Sequence, residues 1–338
     1  MDNYLESLKK DLKDKKQMVL FLGAGVNFSE NKKMLWKDIL SQFLDRAIPL
    51  LDMTEEETNY IKRAFYQDSE YSSLQLKGTI EFSTEMKVSI VKSLLGNAYI
   101  PILQEILYSQ CNHEELEKAC NNYINNCTST STPFYTLFSI AEMIIRNENI
   151  KAVVTYNYDN FLSDAIQLLQ AKGSELFKDK NTVRIDAKEF CPIDMYSGWD
   201  DKPFVNSSFP IYHIHGYIQP PDVLKPNPRN KVVMSLDEFY EHAEDTNAWH
   251  KAVQLNYLTH YTCLYLGASL SDMTMQRVLN AAKIQFNNEN VYYLTEKEKN
   301  DAYGALKKLK NKLFMENHLK VIEVEDYETF YNDINHKK

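Results

Sequence analysis

Along this chain, apolar runs that stop abruptly at glycine or polar residues alternate with stretches whose apolar positions recur at helical spacing. The first run, Met18 to Leu22, leads into Gly23-Ala24-Gly25 and predicts a buried strand that ends in a tight turn. Leu35, Ile39, Leu40, Phe43, Leu44 and Ile48 then repeat as on a helix that packs back on that strand. Lys151 to Thr155 predicts a second strand, ending in Tyr156-Asn157-Tyr158-Asp159, and Phe161, Leu162, Ala165, Ile166 and Leu169 predict the helix behind it. A third strand, Ile211 to His215, closes on His213-Ile214-His215-Gly216. The fourth, Thr262 to Leu266, runs into Gly267-Ala268-Ser269-Leu270-Ser271-Asp272 and a helix through Val278, Leu279 and Ala282. Ser269 and Asp272 have the spacing of a capping box for that helix. Val291 to Leu294 and Val321 to Val324 add two short strands.

Between the first two strands the spacing stays helical, as in Ile102, Leu103, Ile106 and Leu107, or Phe134, Leu137, Phe138, Ala141 and Ile145. This predicts a mainly helical insertion over residues 51–149, broken by a surface loop at Asn121 to Pro133. Gly173 to Pro210, punctuated by Pro192, Gly198, Pro203 and Pro210, reads as a long irregular connection able to cover a site, and Pro220, Pro221, Pro226 and Pro228 as a stiff loop at the same sheet edge. Six strands alternating with helices predict an α/β fold: a doubly wound parallel sheet, Rossmann-like, in a single domain over residues 1–338 that carries the helical insertion. Gly23 to Gly25, Asn157 with Asp159, His215 with Gly216, and Gly267 with Ser269 all fall at the carboxyl ends of strands, where open α/β sheets hold their ligands.

Composition narrows the class of ligand. The 338 residues are 44% hydrophobic and 25% charged, as in an ordinary globular protein, and the formal net charge of −9 disfavours nonspecific attraction to nucleic acid. A small-molecule partner is the better match. Met1 to Gln17 is charged and helix-like, and no later stretch is long enough to cross a bilayer, which predicts a cytoplasmic protein with no membrane partner. Cys111, Cys120, Cys127, Cys191 and Cys263 are odd in number and form no C-x-x-C, so neither a disulfide framework nor a zinc ribbon is indicated.

Several residues bear chemistry. Glycines at 23 and 25 remove side chains that would hold the backbone away from a phosphate, and a helix following the turn would aim its free N–H groups at the same ligand. Phe28 occupies the third glycine position of the dinucleotide fingerprint, so only half of that motif is present. His215, at a strand end beside a glycine, is a candidate general base, and His213 lies on the same face but deeper. Asn157, Asp159 and Ser269 suit either helix capping or ligand contact. Trp36 reads as helix packing and Lys307 to Lys312 as a solvated helix face.

Taken together, these residues resemble the sirtuin family, in its branch of bacterial sirtuin-like domains that consume NAD. The resemblance is carried by Gly23-Ala24-Gly25 for the GAG turn, Thr155-Tyr156-Asn157-Tyr158-Asp159 for the T-x-N-x-D segment, His215-Gly216 for HG, and Gly267-Ala268-Ser269-Leu270 for G-x-S-L. It implies that Gly23, Ala24 and Gly25 lie against the NAD phosphates, that Gly267 and Ser269 hold the adenosine side, and that Asn27 and Thr155 belong to the same binding set. It further implies that Asn157 contacts the nicotinamide ribose and the attacking water, that Asp159 lines the nicotinamide pocket, and that His215 is the base. The chain departs from the family at Tyr156, where glutamine is common in that branch, and at Asn27, where serine is usual. It also lacks the two close cysteine pairs of the zinc module, so no zinc or other metal is expected.

The resemblance implies an NAD hydrolase that gives nicotinamide and ADP-ribose. It also implies a bacterial antiphage role in which NAD depletion halts the infected cell. The expected partners are NAD, further copies of the chain in a homo-oligomer, and a ring-forming HerA-type ATPase. Two other readings stay open: a protein deacylase or ADP-ribosyltransferase using the same pocket, and a subunit that senses NAD or ADP-ribose without turnover.

Overall fold

The computed structural model describes residues 4–27, 36–50, 53–59, 83–109, 111–125, 132–173, 185–190, 208–221, 232–244, 249–270, 273–286, 288, 290–297, 301–316 and 319–335. Within them lies a seven-stranded sheet: β1 (Met18–Leu22), β2 (Ile150–Thr155), β3 (Ala187–Phe190), β4 (Phe209–His213), β5 (Thr262–Leu266), β6 (Val291–Glu296) and β7 (Lys320–Val324). The spatial order is β3-β4-β2-β1-β5-β6-β7, and every neighbouring pair is parallel. All five residues of β1 are buried, as expected of a central strand covered on both faces.

The pleat of β1 divides the core in two. Met18, Leu20 and Leu22 face one apolar cluster, with Phe43, Val91, Leu103, Ile106, Phe138, Ile166 and Phe330 from the helices. Val19 and Phe21 face the other, with Leu258, Val278, Ala282 and Phe314. The first cluster is covered by helices Tyr4–Lys13, Trp36–Ala47, Thr84–Leu95, Tyr99–Ser109, His113–Asn125, Tyr135–Arg146, Phe161–Lys172 and Tyr327–Asn335. The second is covered by Trp249–His260, Met273–Phe286 and Asp301–Glu316. Helices therefore flank both faces, and the architecture is the doubly wound α/β fold.

This winding creates the place for a site. From β1 the chain moves to one side through β2, β4 and β3, and then returns to build β5, β6 and β7 on the other. The order reverses beside β1, and a crevice opens at the carboxyl ends of strands at such a switch point. Register brings those ends level: Leu22 stands opposite both Thr155 and Leu266, and Thr155 opposite His213. The turns after β1, β2, β4 and β5 thus leave the sheet together.

Three details depart from the pattern read along the chain. The sheet has an extra edge strand, β3, inside the stretch expected to be irregular; its sequence Ala-Lys-Glu-Phe has no apolar run to mark it, and pairing with β4 holds it in place. The third expected strand is displaced by two residues, because Ile214 and His215 already belong to a turn that Gly216 closes at φ +93°. What directly follows the Gly23-Ala24-Gly25 turn is a short 3-10 segment, Ala24–Asn27, and the α-helix comes at Trp36–Ala47. Phe28, Leu35, Ser271, Asp272, Cys127, Cys191, Pro226, Pro228 and most of 174–207 lie outside the described residues.

Candidate active site

The turns after β1 and β5 are built against each other. Gly23 N donates to Leu266 O at 3.1 Å and Gly25 N to Gly267 O at 2.9 Å. A Cβ on Gly23 would lie 2.6 Å from Ala268 Cα, one on Gly25 2.8 Å from Gly267 O, and one on Gly267, whose φ is +61°, 2.5 Å from Val26 N. The missing side chains therefore let two backbones interlock. Gly23, Ala24, Ala268 and Ser269 line the adjoining cleft of about 260 Å³, whereas Gly25 and Gly267 are not among its lining residues. The missing side chains of Gly25 and Gly267 thus admit the neighbouring turn.

At the end of β2 each polar side chain has a definite duty. Thr155 Oγ1 accepts from Asn157 N at 3.1 Å, and Asn157 Nδ2 donates to Gly23 O at 3.3 Å. His213 Nδ1 lies 2.9 Å from Asn157 O, and since a carbonyl only accepts, that ring nitrogen carries the proton. Asn157 is thus held from β1, β2 and β4 at once. Asp159 accepts from Phe161 N through Oδ1 at 3.2 Å, at the start of helix Phe161–Lys172, and from Asn27 Nδ2 through Oδ2 at 2.7 Å. Asn157, Asp159 and Asn27 line both the cleft and a small inner pocket beneath it, where Thr155 and His213 stand. Thr155 and His213 support the site from behind, and neither lines the cleft itself.

His215 is 4% exposed and lines the cleft. Its ring meets Tyr156 and Phe239 edge-on, each at a centroid distance of 5.4 Å, and Tyr158 at 6.5 Å. The turn that carries it is fixed by Val233 N donating to His215 O at 2.7 Å and Ile218 N to Tyr158 O at 2.8 Å. Tyr156 is anchored in turn, its hydroxyl donating to Gln254 Oε1 at 2.6 Å. Beside the site Tyr108 donates to Ile218 O at 2.6 Å, and burial, aided by the nearby Tyr217 and Asp159, drives its phenol far above the ordinary range, so it remains a neutral donor.

The rim at β5 is more open. Ser269 is exposed, and its carbonyl accepts from Lys310 Nζ at 2.6 Å. Lys310 and Lys312 are exposed, in keeping with a solvated helix face, although local burial, with the neighbouring Lys307 second, lowers the pKa of Lys310. The remaining lining residues, Ile39, Glu85, Leu107, Met234, Phe239 and Met275 among them, come from helices and loops far apart in the chain. Nothing in their local sequence sets them apart from packing residues, so the aromatic and apolar wall of the cleft was not readable in advance.

Among the described residues no group of three or more His, Cys, Asp or Glu side chains is placed to hold a metal ion. No helix among them is long and apolar enough to cross a membrane. Residues 151–322, about half of the chain, match a sequence model of the family described as SIR2-like domain. The match covers Asn157, Asp159, His215, Gly267 and Ser269, and the glycine turn of β1 lies before it. No curated protein matches the chain.

Proposed function

Because the chain belongs to the SIR2-like domain family, whose members are typically NAD-dependent enzymes, we propose that it hydrolyses NAD at the bond between nicotinamide and ribose, releasing nicotinamide and ADP-ribose. One observation carries this reading: Asn157 and His215, from neighbouring strand ends, line a single cleft with the Gly23-Ala24 turn. Cleavage of an N-glycosidic bond passes through a ribose with oxocarbenium character, which is helped by oriented polar groups in a site that excludes water. Asn157, fixed through its backbone and its amide, orients the attacking water without ionising. His215, its ring held among Tyr156, Tyr158 and Phe239, removes a proton from that water. Asp159, with Asn27, borders the leaving base.

The bonds balance simply: the carbon–nitrogen bond breaks, a carbon–oxygen bond to water forms, and the water's second proton leaves through His215. The test is to incubate the purified chain with NAD in heavy-oxygen water and resolve the products. Equal amounts of nicotinamide and ADP-ribose, the latter carrying one heavy oxygen, support hydrolysis. An unlabelled cyclic product, or transfer of ADP-ribose to protein, would contradict it.

The same reading takes residues 1–338 as one cytoplasmic domain with a helical insertion at 51–149, acting in bacterial antiphage defence by depleting NAD. It needs no zinc. It also proposes restraint by assembly, as a homo-oligomer joined largely through the insertion and a HerA-type ATPase as separate partner. Support for the first contact comes from Met86 and Leu94, large apolar side chains exposed on helix Thr84–Leu95.

A further inference from the structure

Asn27 is 3% exposed, yet it borders both the cleft and the inner pocket below it. Its Nδ2 donates to Asp159 Oδ2 at 2.7 Å. A carboxylate only accepts, so the amide cannot turn over without setting oxygen against oxygen. Asp159 is itself held through Oδ1 by the backbone N–H of Phe161, at 3.2 Å. The orientation of the Asn27 amide is therefore imposed from the start of helix Phe161–Lys172, and it leaves one atom for a ligand. That atom, Oδ1, is buried and makes no hydrogen bond among the described residues. A buried acceptor without a donor is costly, and a ligand group that supplies the donor recovers that cost.

We propose that Asn27 is the specificity-determining residue of the cleft, its Oδ1 accepting an N–H from an uncharged amide on the ligand. Resting on the NAD reading, that amide is the carboxamide of the departing nicotinamide. The pair of Asn27 and Asp159 then reads the ligand in two ways. A ketone in place of the amide offers no N–H to Oδ1, and a carboxylate in its place would bring negative charge toward both Oδ1 and Asp159. Serine at position 27 would have a shorter reach and a hydroxyl free to rotate, so the fixed acceptor belongs to asparagine.

The experiment compares NAD with acetylpyridine adenine dinucleotide, which has the same charge and a methyl ketone in place of the amide. For the full chain, kcat/KM should favour NAD by about a hundredfold, since sites built to bond an N–H discriminate strongly against analogues without one. In Asn27→Ala that ratio should collapse to about threefold or less. Asn27→Asp, nearly isosteric, carries the test if the alanine variant does not fold: it sets two carboxylates side by side, so its KM for NAD should climb as pH rises and the shared proton leaves, while that of the unaltered chain does not. Turnover of NAD with the preference intact in Asn27→Ala overturns the assignment of Asn27 and leaves the hydrolase reading standing. Binding of free nicotinamide over methyl pyridyl ketone, followed by ligand-observed NMR, separates the converse case. A preference that depends on Asn27 in a chain that does not consume NAD would support the amide site while the hydrolase reading fails.

Discussion

Asp159 meets a helix start with one carboxylate oxygen and holds Asn27 with the other, so the contact with the helix start is joined by one to Asn27 that the sequence did not suggest. The bond to Asn27 was not legible because it depends on a partner 132 residues away. The glycines were legible as positions that exclude a side chain, but what excludes it was not: at Gly25 and Gly267 it is the opposing turn. That distinction can be measured. Gly267 and Gly96 both have positive φ, +61° and +51°, but a Cβ at 267 would lie 2.5 Å from Val26 N and one at 96 would meet nothing within 4 Å. Each alanine replacement carries backbone strain of about 1–3 kcal/mol. Gly267→Ala adds the clash and should lower the urea midpoint well beyond Gly96→Ala. Equal losses would show that the interlocked turns tolerate separation.

Elements set the cleft's far wall. Helix Thr84–Leu95 brings Glu85 to the cleft and helix Leu236–Glu244 brings Phe239. Lys92 ties them, with Nζ 3.2 Å from Asp237 and 2.8 Å from Glu238. The bond from Ser235, opposed by slight burial and reinforced by Lys92, holds Asp237 below its ordinary value of 3.8. Lys92 is raised above 10.5 on balance: burial acts downward as the largest single effect, and the contacts with Glu238 and Asp237 outweigh it. A depressed carboxylate stabilises above its unfolded pKa and loses that contribution as pH falls through the folded value. A raised amine stabilises below its unfolded pKa and loses it as pH rises through the folded value. The tie is therefore complete from about pH 4 to about pH 10. Because these groups are partly exposed, it is worth at most about 1 kcal/mol. Lys92→Met should accelerate hydrogen exchange in Leu236–Glu244 by up to about fivefold at neutral pH and leave β1 unchanged. Unchanged exchange in that helix would show that apolar packing alone holds it.

Strands were legible where an apolar run marks them, as in β1 and β5, and missed where none does, as in β3, whose Lys188 and Glu189 give no apolar signal. Helix Thr84–Leu95 falls within the stretch read as helical, whereas helix Leu236–Glu244 was not read along the chain, and amphipathic spacing tells only that a helix packs and not against what. Phe239 could be found only by folding the chain.

At the scale of the whole molecule, the parallel order and level strand ends gather Gly23, Asn157, His215 and Ser269, which span some 250 residues of sequence, at one sheet edge. An NAD hydrolase without restraint would be harmful to its own cell, and assembly is the restraint proposed above. Light scattering on the isolated chain should give a mass of at least twice one chain, and a Leu94→Glu variant should shift it downward. A monomer with full activity would remove the support for control by assembly.

The central claim is tested most directly by measuring NAD consumption of the purified chain beside His215→Ala and Asn157→Ala, with a melting curve for each. The account predicts nicotinamide release by the unaltered chain, loss of at least about a hundredfold in each variant, and melting transitions that stay cooperative. Turnover undiminished in either folded variant would contradict it.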